Sequence, residues 1–243
     1  MNGLFGRLAL LAGIAAAVLV GGSGPAFRYG IAELPIAFGM MTFGVYAAMG
    51  AGALALLWLV FALIGRSATG LGSLILSLVL AGGAAYFPIS MRDAASKVPA
   101  IHDITTDTAN PPAFVAIAPL RASVPNGVDY KADVNAAKQQ EAYPDIQTLV
   151  MADVAPADLF ARAEKAARAM NWEIVAAEAA EGRIEATDTT AWWGFKDDVV
   201  IRIAAEGTGS RLDVRSMSRV GVSDIGKNAA RIRAFLAKVK EAK

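Results

Sequence analysis

Hydrophobic positions fill the first third of the chain without interruption, whereas the last third alternates hydrophobic and polar positions. Residues 8–20, 35–64 and 70–89 form three apolar stretches. An α-helix rises 1.5 Å per residue, so about 20 apolar residues cross a hydrocarbon core of ~30 Å. The pattern predicts three transmembrane helices within residues 1–90. Their predicted limits are about 4–22, 38–64 and 70–89.

The first apolar stretch allows two interpretations. It is shorter than a full span and is followed by small residues, as in the core of a signal peptide. If it is an uncleaved helix, Arg7 holds the N-terminus in the cytoplasm and the third helix exports the rest of the chain. If it is cleaved, the remaining two helices form a hairpin with the same outcome. Both alternatives predict a multi-pass protein of the cytoplasmic (inner) membrane whose C-terminal domain lies on the periplasmic side.

The middle of the chain lacks any sustained period. Residues 91–147 hold most of the chain's ten prolines, and proline interrupts both helices and central strands. We therefore expect an irregular, Pro-rich linker here. A long irregular segment is more typical of a linker, or of a strap lying over a partner, than of a loop within a compact unit.

Regular patterns return in residues 148–243, which we expect to form a soluble extracytoplasmic domain. Residues 156–170 have apolar positions at helical spacing after a proline in the first turn, and a last helix follows Ser223. Four short segments between them alternate like strands. The predicted strands are 172–177, 183–189, 198–205 and 211–218. The predicted fold class is α+β: a three-helix transmembrane bundle, the linker, and a small two-layer sandwich of helix, four antiparallel strands and helix.

One face of this predicted sheet carries charged residues. They are Arg183, Glu185, Asp198, Arg202, Asp213 and Arg215. Opposite charges on neighbouring strands favour cross-strand ion pairs on a solvated face. The alternative is a concave polar surface that docks another protein or the membrane part of this one.

Charge and composition narrow the function classes. Four charged residues lie in the first 91 positions, and removing them from the totals of 23 basic and 22 acidic residues leaves 20 and 21 for the rest. A nearly neutral domain is not typical of nucleic-acid binding. Cysteine is absent and His102 is the only histidine, so no zinc spacing is present, and the nearby Asp103, Asp107 and Asn110 match no established metal-ligand pattern.

Catalytic and cofactor motifs are missing as well. The chain has no GxSxG motif and no phosphate-binding glycine loop. We therefore predict no cofactor, no metal and no catalytic residues, and we expect a protein that is not an enzyme.

The most unusual segment is TTAWWGFKDD, residues 189–198. Consecutive side chains in extended chain face opposite ways, so at least one ring of Trp192, Trp193 and Phe195 is expected in an exposed loop. Such rings suit a protein or membrane interface. The alternative is that Trp193 and Phe195 plug the open end of the sandwich. Adjacent Asp197 and Asp198 should diverge, and one of them should anchor Arg215 or Arg219.

The strings GFKDDVVIRI (194–203) and DVRSMSRVGVSDIGKNAARIRAFL (213–236) resemble the signature of an uncharacterised family, domain of unknown function 1499. HDITTD (102–107), NPPAF (110–114) and YPDIQ (143–147) are similar to the family's membrane-anchored bacterial members. The resemblance implies kinship and carries no reaction. If the family has a common site, the resemblance places it among the matching positions. These are Phe195, Asp197, Asp198, Arg215, Ser216, Ser218, Arg219, Gly221, Asp224, Gly226, Asn228 and Arg231.

The same residues allow a structural and a functional interpretation. Ser223 and Asp224 at the start of the last helix are typical capping residues. Two arginines near a helix N-terminus can also bind an anionic group. The preferred hypothesis is a non-enzymatic binding or assembly module of the cell envelope. It is an integral membrane protein in contact with membrane lipid, and it binds an envelope protein through the Trp192/Trp193 loop and the arginine cluster. The alternative is a binder of small anionic or lipid ligands at Arg215, Arg219 and the last helix.

Overall fold

The computed structural model describes residues 2–66 and 69–242. It divides the chain into two compact units. The helical unit comprises Met1–Ala94 together with Ala191–Gly194, and the sheet unit comprises Ala95–Thr190 and Phe195–Lys243. Four residues from late in the chain therefore cluster with the N-terminal helices.

Three long helices build the helical unit: α1 (Asn2–Arg28), α2 (Leu34–Gly65) and α3 (Leu71–Ser96). Each is long and apolar enough to cross a membrane, which confirms the three predicted spans by length and composition. Two of them extend beyond their predicted ends, through Pro25 and Pro88. A proline within a helix removes one backbone donor without ending the helix when the freed carbonyl finds another partner.

Small residues bring these helices close together. A Cβ added to Gly13 of α1 would lie 2.9 Å from the carbonyl oxygen of Ser77 on α3, and one added to Gly44 of α2 would lie 2.6 Å from Val20. Ser77 Oγ also donates a hydrogen bond of 2.6 Å to the carbonyl oxygen of Ala9. Close backbone approach at small residues is the usual way in which membrane helices associate.

An open antiparallel sheet organises the second unit. The strands are β1 (Asp103–Thr105), β2 (Leu149–Met151), β3 (Glu173–Glu178), β4 (Arg183–Thr189), β5 (Lys196–Glu206) and β6 (Gly209–Ser218). Their order is β1-β6-β5-β4-β3, and β2 also pairs with β6. The predicted α+β class and the four predicted strands are confirmed, and two strands of three residues each are added at the β6 edge.

Two amphipathic helices, α5 (Pro156–Ala169) and α6 (Lys227–Glu241), cover one face of this sheet. Their buried residues join the strands in the main core, where the rings of Trp172 and Phe235 stack with centroids 5.2 Å apart. Proline at the start of α5 lacks the backbone N–H that would have no helical partner at that position. Burial of the apolar stripes of both helices drives this packing.

The predicted linker, residues 91–147, contains more regular structure than its prolines indicate. α3 extends to Ser96, β1 pairs with β6, a 3₁₀-helix covers Ala118–Arg121, and α4 spans Ala132–Ala142. Most of this range belongs to the sheet unit. Its residues 106–131, here called the strap, cross the sheet face opposite α5 and α6.

The strap buries the charged face that the sequence predicts to be solvated, so that expectation is wrong. Glu185, Asp198 and Asp213 are 0 % exposed and Arg215 is 3 % exposed. Phe114 and Ile117 of the strap form a second small core with Val200 and Met217 of the sheet. The sheet is therefore covered on both faces.

Candidate functional site

The first group of candidate residues lies beneath the strap. There Glu185 of β4 binds the backbone of the strap. Its carboxylate accepts hydrogen bonds from the backbone N–H groups of Val115 (3.0 Å), Ala116 (2.9 Å) and Ile117 (2.8 Å). Arg183 pairs with the same carboxylate from the side. A buried carboxylate with several donors is well satisfied, so Glu185 fixes the strap to the sheet.

Arg121 ties the strap to two strands at once. Its Nη1 donates to Asp198 Oδ2 at 2.7 Å and to the carbonyl oxygen of Met217 at 3.1 Å. Nη2 and Nε donate to three more backbone carbonyls, those of Asn126, Ser218 and Gly127. The side chain is completely buried, and this burial lowers the pKa of the guanidinium against the opposing effect of Asp198. Because each guanidinium nitrogen of Arg121 already donates to an acceptor within the protein, the side chain has a structural role.

Asp198 also accepts hydrogen bonds from two further side chains. Arg219 donates to both carboxylate oxygens, at 2.9 and 2.8 Å, and Thr187 Oγ1 donates at 2.7 Å. Burial alone would raise the pKa of Asp198, but the hydrogen bonds from Arg219, Thr187 and Arg121 outweigh it and hold the pKa below its ordinary value. The expectation that one of the adjacent aspartates anchors Arg219 is confirmed.

Arg215 is saturated in the same way. It makes a bidentate pair with Asp103 of β1, at 2.9 and 2.8 Å, and donates to the strap carbonyls of Pro112 and Val128. Its guanidinium also lies over the ring of Phe114, 5.0 Å from the centroid. The charge of Arg215 is therefore neutralised by an ion pair within the sheet unit.

Two tyrosine hydroxyls, those of Tyr130 and Tyr143, are buried without a hydrogen-bond partner among the described residues. Tyr130 packs beside the Arg215–Asp103 pair. Burial, with a smaller contribution from Asp103, raises its pKa to about 12. A phenol with this pKa stays protonated at neutral pH, so it cannot serve as a base there.

The second group of candidate residues lies on the helix side of the sheet. Arg231 of α6 donates to Asp197 at 2.6 Å and to Asp188 at 2.8 Å, and it also contacts Ser216 and Asn228. Asn228 donates to Ser218 Oγ at 3.1 Å and accepts from Ser216 Oγ at 2.7 Å. These candidates form one buried polar network that fixes α6 on the sheet.

Asp224 caps this helix from outside its first turn. Its oxygens accept from the backbone N–H of Gly226 at 2.8 Å and of Asn228 at 2.7 Å. Burial raises the pKa of Asp224 despite these bonds. Ser223, the other predicted cap, accepts from the N–H of Ile225 at 3.2 Å, two residues before the helix begins. The capping interpretation is confirmed for Asp224, which accepts from a first-turn N–H, and is wrong for Ser223, whose bond lies outside the helix.

The candidate residues therefore do not form one constellation. Asp197 binds Arg231 under α6, whereas Asp198 binds Arg121 and Arg219 under the strap. The expected divergence of the two carboxylates is confirmed, because neighbouring residues of a strand face opposite sides. For the same reason Arg215 and Arg219 lie on the face away from the start of α6, and they do not share an anion site with it.

The aromatic loop Ala191–Gly194 lies within the helical unit. Trp193 is buried and its ring lies 5.0 Å from that of Phe38 and 6.4 Å from that of Phe27. Among the described residues, the main core of the sandwich does not include Trp193. Trp192 is half-buried, packs edge-on against Phe87 at 4.7 Å, and its Nε1 donates to the carbonyl oxygen of Gly21 at 3.3 Å. Phe195, at the other end of the segment, belongs to the sheet unit and is half-buried.

The bond from Trp192 satisfies a group that Pro25 leaves without a helical partner. In a regular helix, residue 25 would donate its N–H to the carbonyl oxygen of Gly21, but proline has no N–H. The indole takes that place. In the sequence, Pro25 within an apolar stretch indicates a free carbonyl at Gly21, but it does not identify the donor.

A polar recess of about 300 Å³ opens elsewhere on the sheet unit, between the strap and α4. Its lining includes Thr106, Thr108, Gln139, Gln140 and Gln147. Gln139 is already engaged, since its side chain exchanges two hydrogen bonds with the backbone of Thr105. Across the described residues no cluster of three or more potential metal ligands is present.

Residues that the sequence interpretation missed include Arg121 and Asn126 of the strap, and Asp103 was considered only as a metal ligand. Each acts on a partner about 90 to 110 positions away, a separation that leaves no periodic signal.

Comparison with known proteins agrees with the resemblance in the sequence. No curated protein matches the chain. A family model described as "Protein of unknown function (DUF1499)" matches residues 103–239. The match begins at β1 and includes the strap, so the strap lies within the region that the family model matches. The chain belongs to this DUF1499 family.

Proposed function

We propose that the chain is a non-enzymatic binding module of the cell envelope, anchored in the inner membrane by α1–α3, with its sheet unit on the periplasmic side. The proposal rests on the pairing of the candidate ionisable residues with one another and with other charged side chains of the protein. Asp197, Asp198, Arg215, Arg219 and Arg231 are each held in ion pairs within the protein. Such residues build a rigid scaffold, which favours a role in presenting a surface over a role in proton transfer.

The strap offers the best surface for a protein partner. Glu185 and Arg121 hold it rigidly, and two large apolar side chains point outward from it, Val115 at 55 % exposed and Leu120 at 50 % exposed. A preordered loop pays little conformational entropy on binding, and exposed apolar side chains supply the contact area. We therefore place the envelope-protein partner at the strap, in preference to the Trp192/Trp193 loop, whose rings pack within the helical unit.

Site-specific photocrosslinking in intact cells tests this proposal. A photoreactive residue at position 120 is expected to trap a discrete protein partner. The matched control is position 134, since Val134 is also exposed, at 42 %, but lies on α4 outside the strap. Val115→Asp should abolish the adduct at position 120 without lowering the melting temperature. The same adducts at both positions, lipid adducts alone, or no adduct would refute the strap as the partner surface.

The alternative is a small anionic or lipid ligand bound by the sheet unit at Arg215, Arg219 and the start of α6. The geometry favours it less, because Asp103 and Asp198 already neutralise the two arginines and Asp224 occupies the helix start. Such a ligand would have to displace a buried ion pair.

A further inference from the structure

An apolar groove of about 440 Å³ lies in the helical unit between α1 and α3. Ala17 and Gly21 line it from α1, Gly83 and Phe87 line it from α3, and Trp192 borders it. Its volume falls within the ~300–1,000 Å³ that small-molecule sites occupy. Because both helices have the composition of membrane spans, the groove opens onto hydrocarbon when the helices are in a bilayer.

The glycines of the groove differ from those that pack the helices together. A Cβ on Gly13 would collide with the backbone of Ser77, so Gly13 is needed for helix contact. Apart from its chain neighbours and its own helix backbone, a Cβ on Gly21 or Gly83 would meet no described atom within 4 Å. These two glycines therefore leave open space that the protein's own packing does not use.

Trp192 gives the groove a fixed wall. Its indole is held by the hydrogen bond to the Gly21 carbonyl and by edge-on packing against Phe87. It fits so closely over Gly24 that a Cβ there would lie 2.6 Å from the ring. A tryptophan with its N–H satisfied and its ring against apolar surface is typical of the membrane interface.

A positive charge lies beyond this wall on the same face of α1. Arg28 follows Gly21 by seven residues, which is about two helical turns. It is exposed, and its stem lies beside the aromatic loop, since a Cβ on Gly194 would be 2.7 Å from Arg28 Cγ. An apolar groove with an exposed arginine about 10 Å beyond it along the helix is complementary to a molecule with an apolar chain and an anionic head.

We propose that this groove binds one acyl chain of an anionic phospholipid, with the lipid phosphate at Arg28. The chain lies against Gly21, Gly83 and Phe87, and Trp192 separates it from the headgroup. The site is independent of the protein partner proposed at the strap. It adds a specific lipid to the anchor, which would otherwise contact lipid only as a solvent.

Fluorescence quenching by brominated lipids tests the site in the full-length protein. The delipidated protein in detergent is titrated with phosphatidylglycerol or phosphatidylcholine that carries bromine on one acyl chain. The Trp192 signal is the difference between the wild type and Trp192→Phe. We expect saturable quenching, with half-saturation at about fivefold lower phosphatidylglycerol than phosphatidylcholine, as one arginine near an anionic headgroup predicts.

Three variants separate the groove from general lipid contact. Gly83→Leu fills the groove and should remove the saturable component. Gly82→Leu, on the same helix with equally open space but outside the groove, should keep it. Arg28→Gln should keep the quenching but bind both lipids equally. Quenching that never saturates, or that is the same in Gly83→Leu and the wild type, would overturn the proposal.

Discussion

Arg121 illustrates how one buried side chain can order a segment that has little regular structure. Its five N–H groups reach a carboxylate and four backbone carbonyls across the strap and two strands. Arginine suits this role because its donors form a rigid planar fork and its charge persists at any ordinary pH. Removal of one partner of such a pair leaves an uncompensated buried charge, which typically costs about 3–5 kcal/mol.

Asp198 should make the stability of the protein depend on acid. Its pKa is lower in the folded chain than the ordinary 3.8, so the ionised form contributes stability above that value. The contribution is lost as the pH falls below about 4 through the folded pKa. Asp198→Asn should lower the melting temperature strongly at pH 7, and the difference from the wild type should shrink toward pH 3.

The control is Asp158→Asn on the exposed surface of α5, whose melting profile should parallel that of the wild type. A constant difference between Asp198→Asn and the wild type from pH 7 to pH 3 would contradict the assignment.

Single-residue roles were predictable where they depend on neighbours in sequence. The divergence of Asp197 and Asp198 follows from strand geometry alone, and the cap at Asp224 follows from its place before an amphipathic run. The partners Arg121 and Asp103 were not predictable, because nothing in a single sequence couples positions 121 and 198 or 103 and 215. These contacts depend on the path of the strap.

Among the elements, the strap departs furthest from the sequence interpretation. The four strands of alternating pattern and both amphipathic helices were found because burial of one face imposes a period. β1 and β2 have three residues each, too few to display any period. The strap is held by hydrogen bonds from side chains to backbone, which need no hydrophobic repeat, so its prolines led to the prediction of a linker.

Glu185 should be the main attachment of the strap, and Glu185→Gln tests this. The amide group of glutamine would bring its own donors against the N–H groups of residues 115–117, at a cost of about 1–3 kcal/mol. We expect a melting temperature lower by about 5–10 °C for a domain of this size. Hydrogen exchange at residues 115–117 should become faster, while exchange in α6 stays unchanged.

Glu181→Gln is the matched control, because Glu181 also pairs with Arg183 but its side chain is 62 % exposed. This change should alter stability by less than about 0.5 kcal/mol. If Glu185→Gln lowers the melting temperature without faster exchange in the strap, Glu185 stabilises the sheet and not the strap.

At the scale of the whole molecule, the three apolar helices come before the region that the family model matches. All three apolar helices precede Asp103, where the family match begins. The low charge of the first third, with four charged residues in 91 positions, predicted the three apolar helices, because membrane spans exclude most charged side chains.

The orientation that we propose can be tested with fusions at the C-terminus of the full chain. An alkaline phosphatase fusion should be active, because that enzyme folds only outside the cytoplasm, and a green fluorescent protein fusion at the same position should be dark. Moving either reporter to the α2–α3 connection should reverse both signals. If the C-terminal phosphatase fusion were inactive and the green fluorescent protein fusion were fluorescent, the domain would lie in the cytoplasm.

The membership of residues 191–194 in the helical unit also determines when that unit can be completed during synthesis. The ribosome releases α1, α2 and α3 long before it reaches Trp192. Until then the carbonyl of Gly21 lacks its indole donor and Phe38 lacks the ring of Trp193. The helical unit therefore lacks these contacts while residues 95–190 are synthesised. It can form them only after the chain has been translated past Gly194.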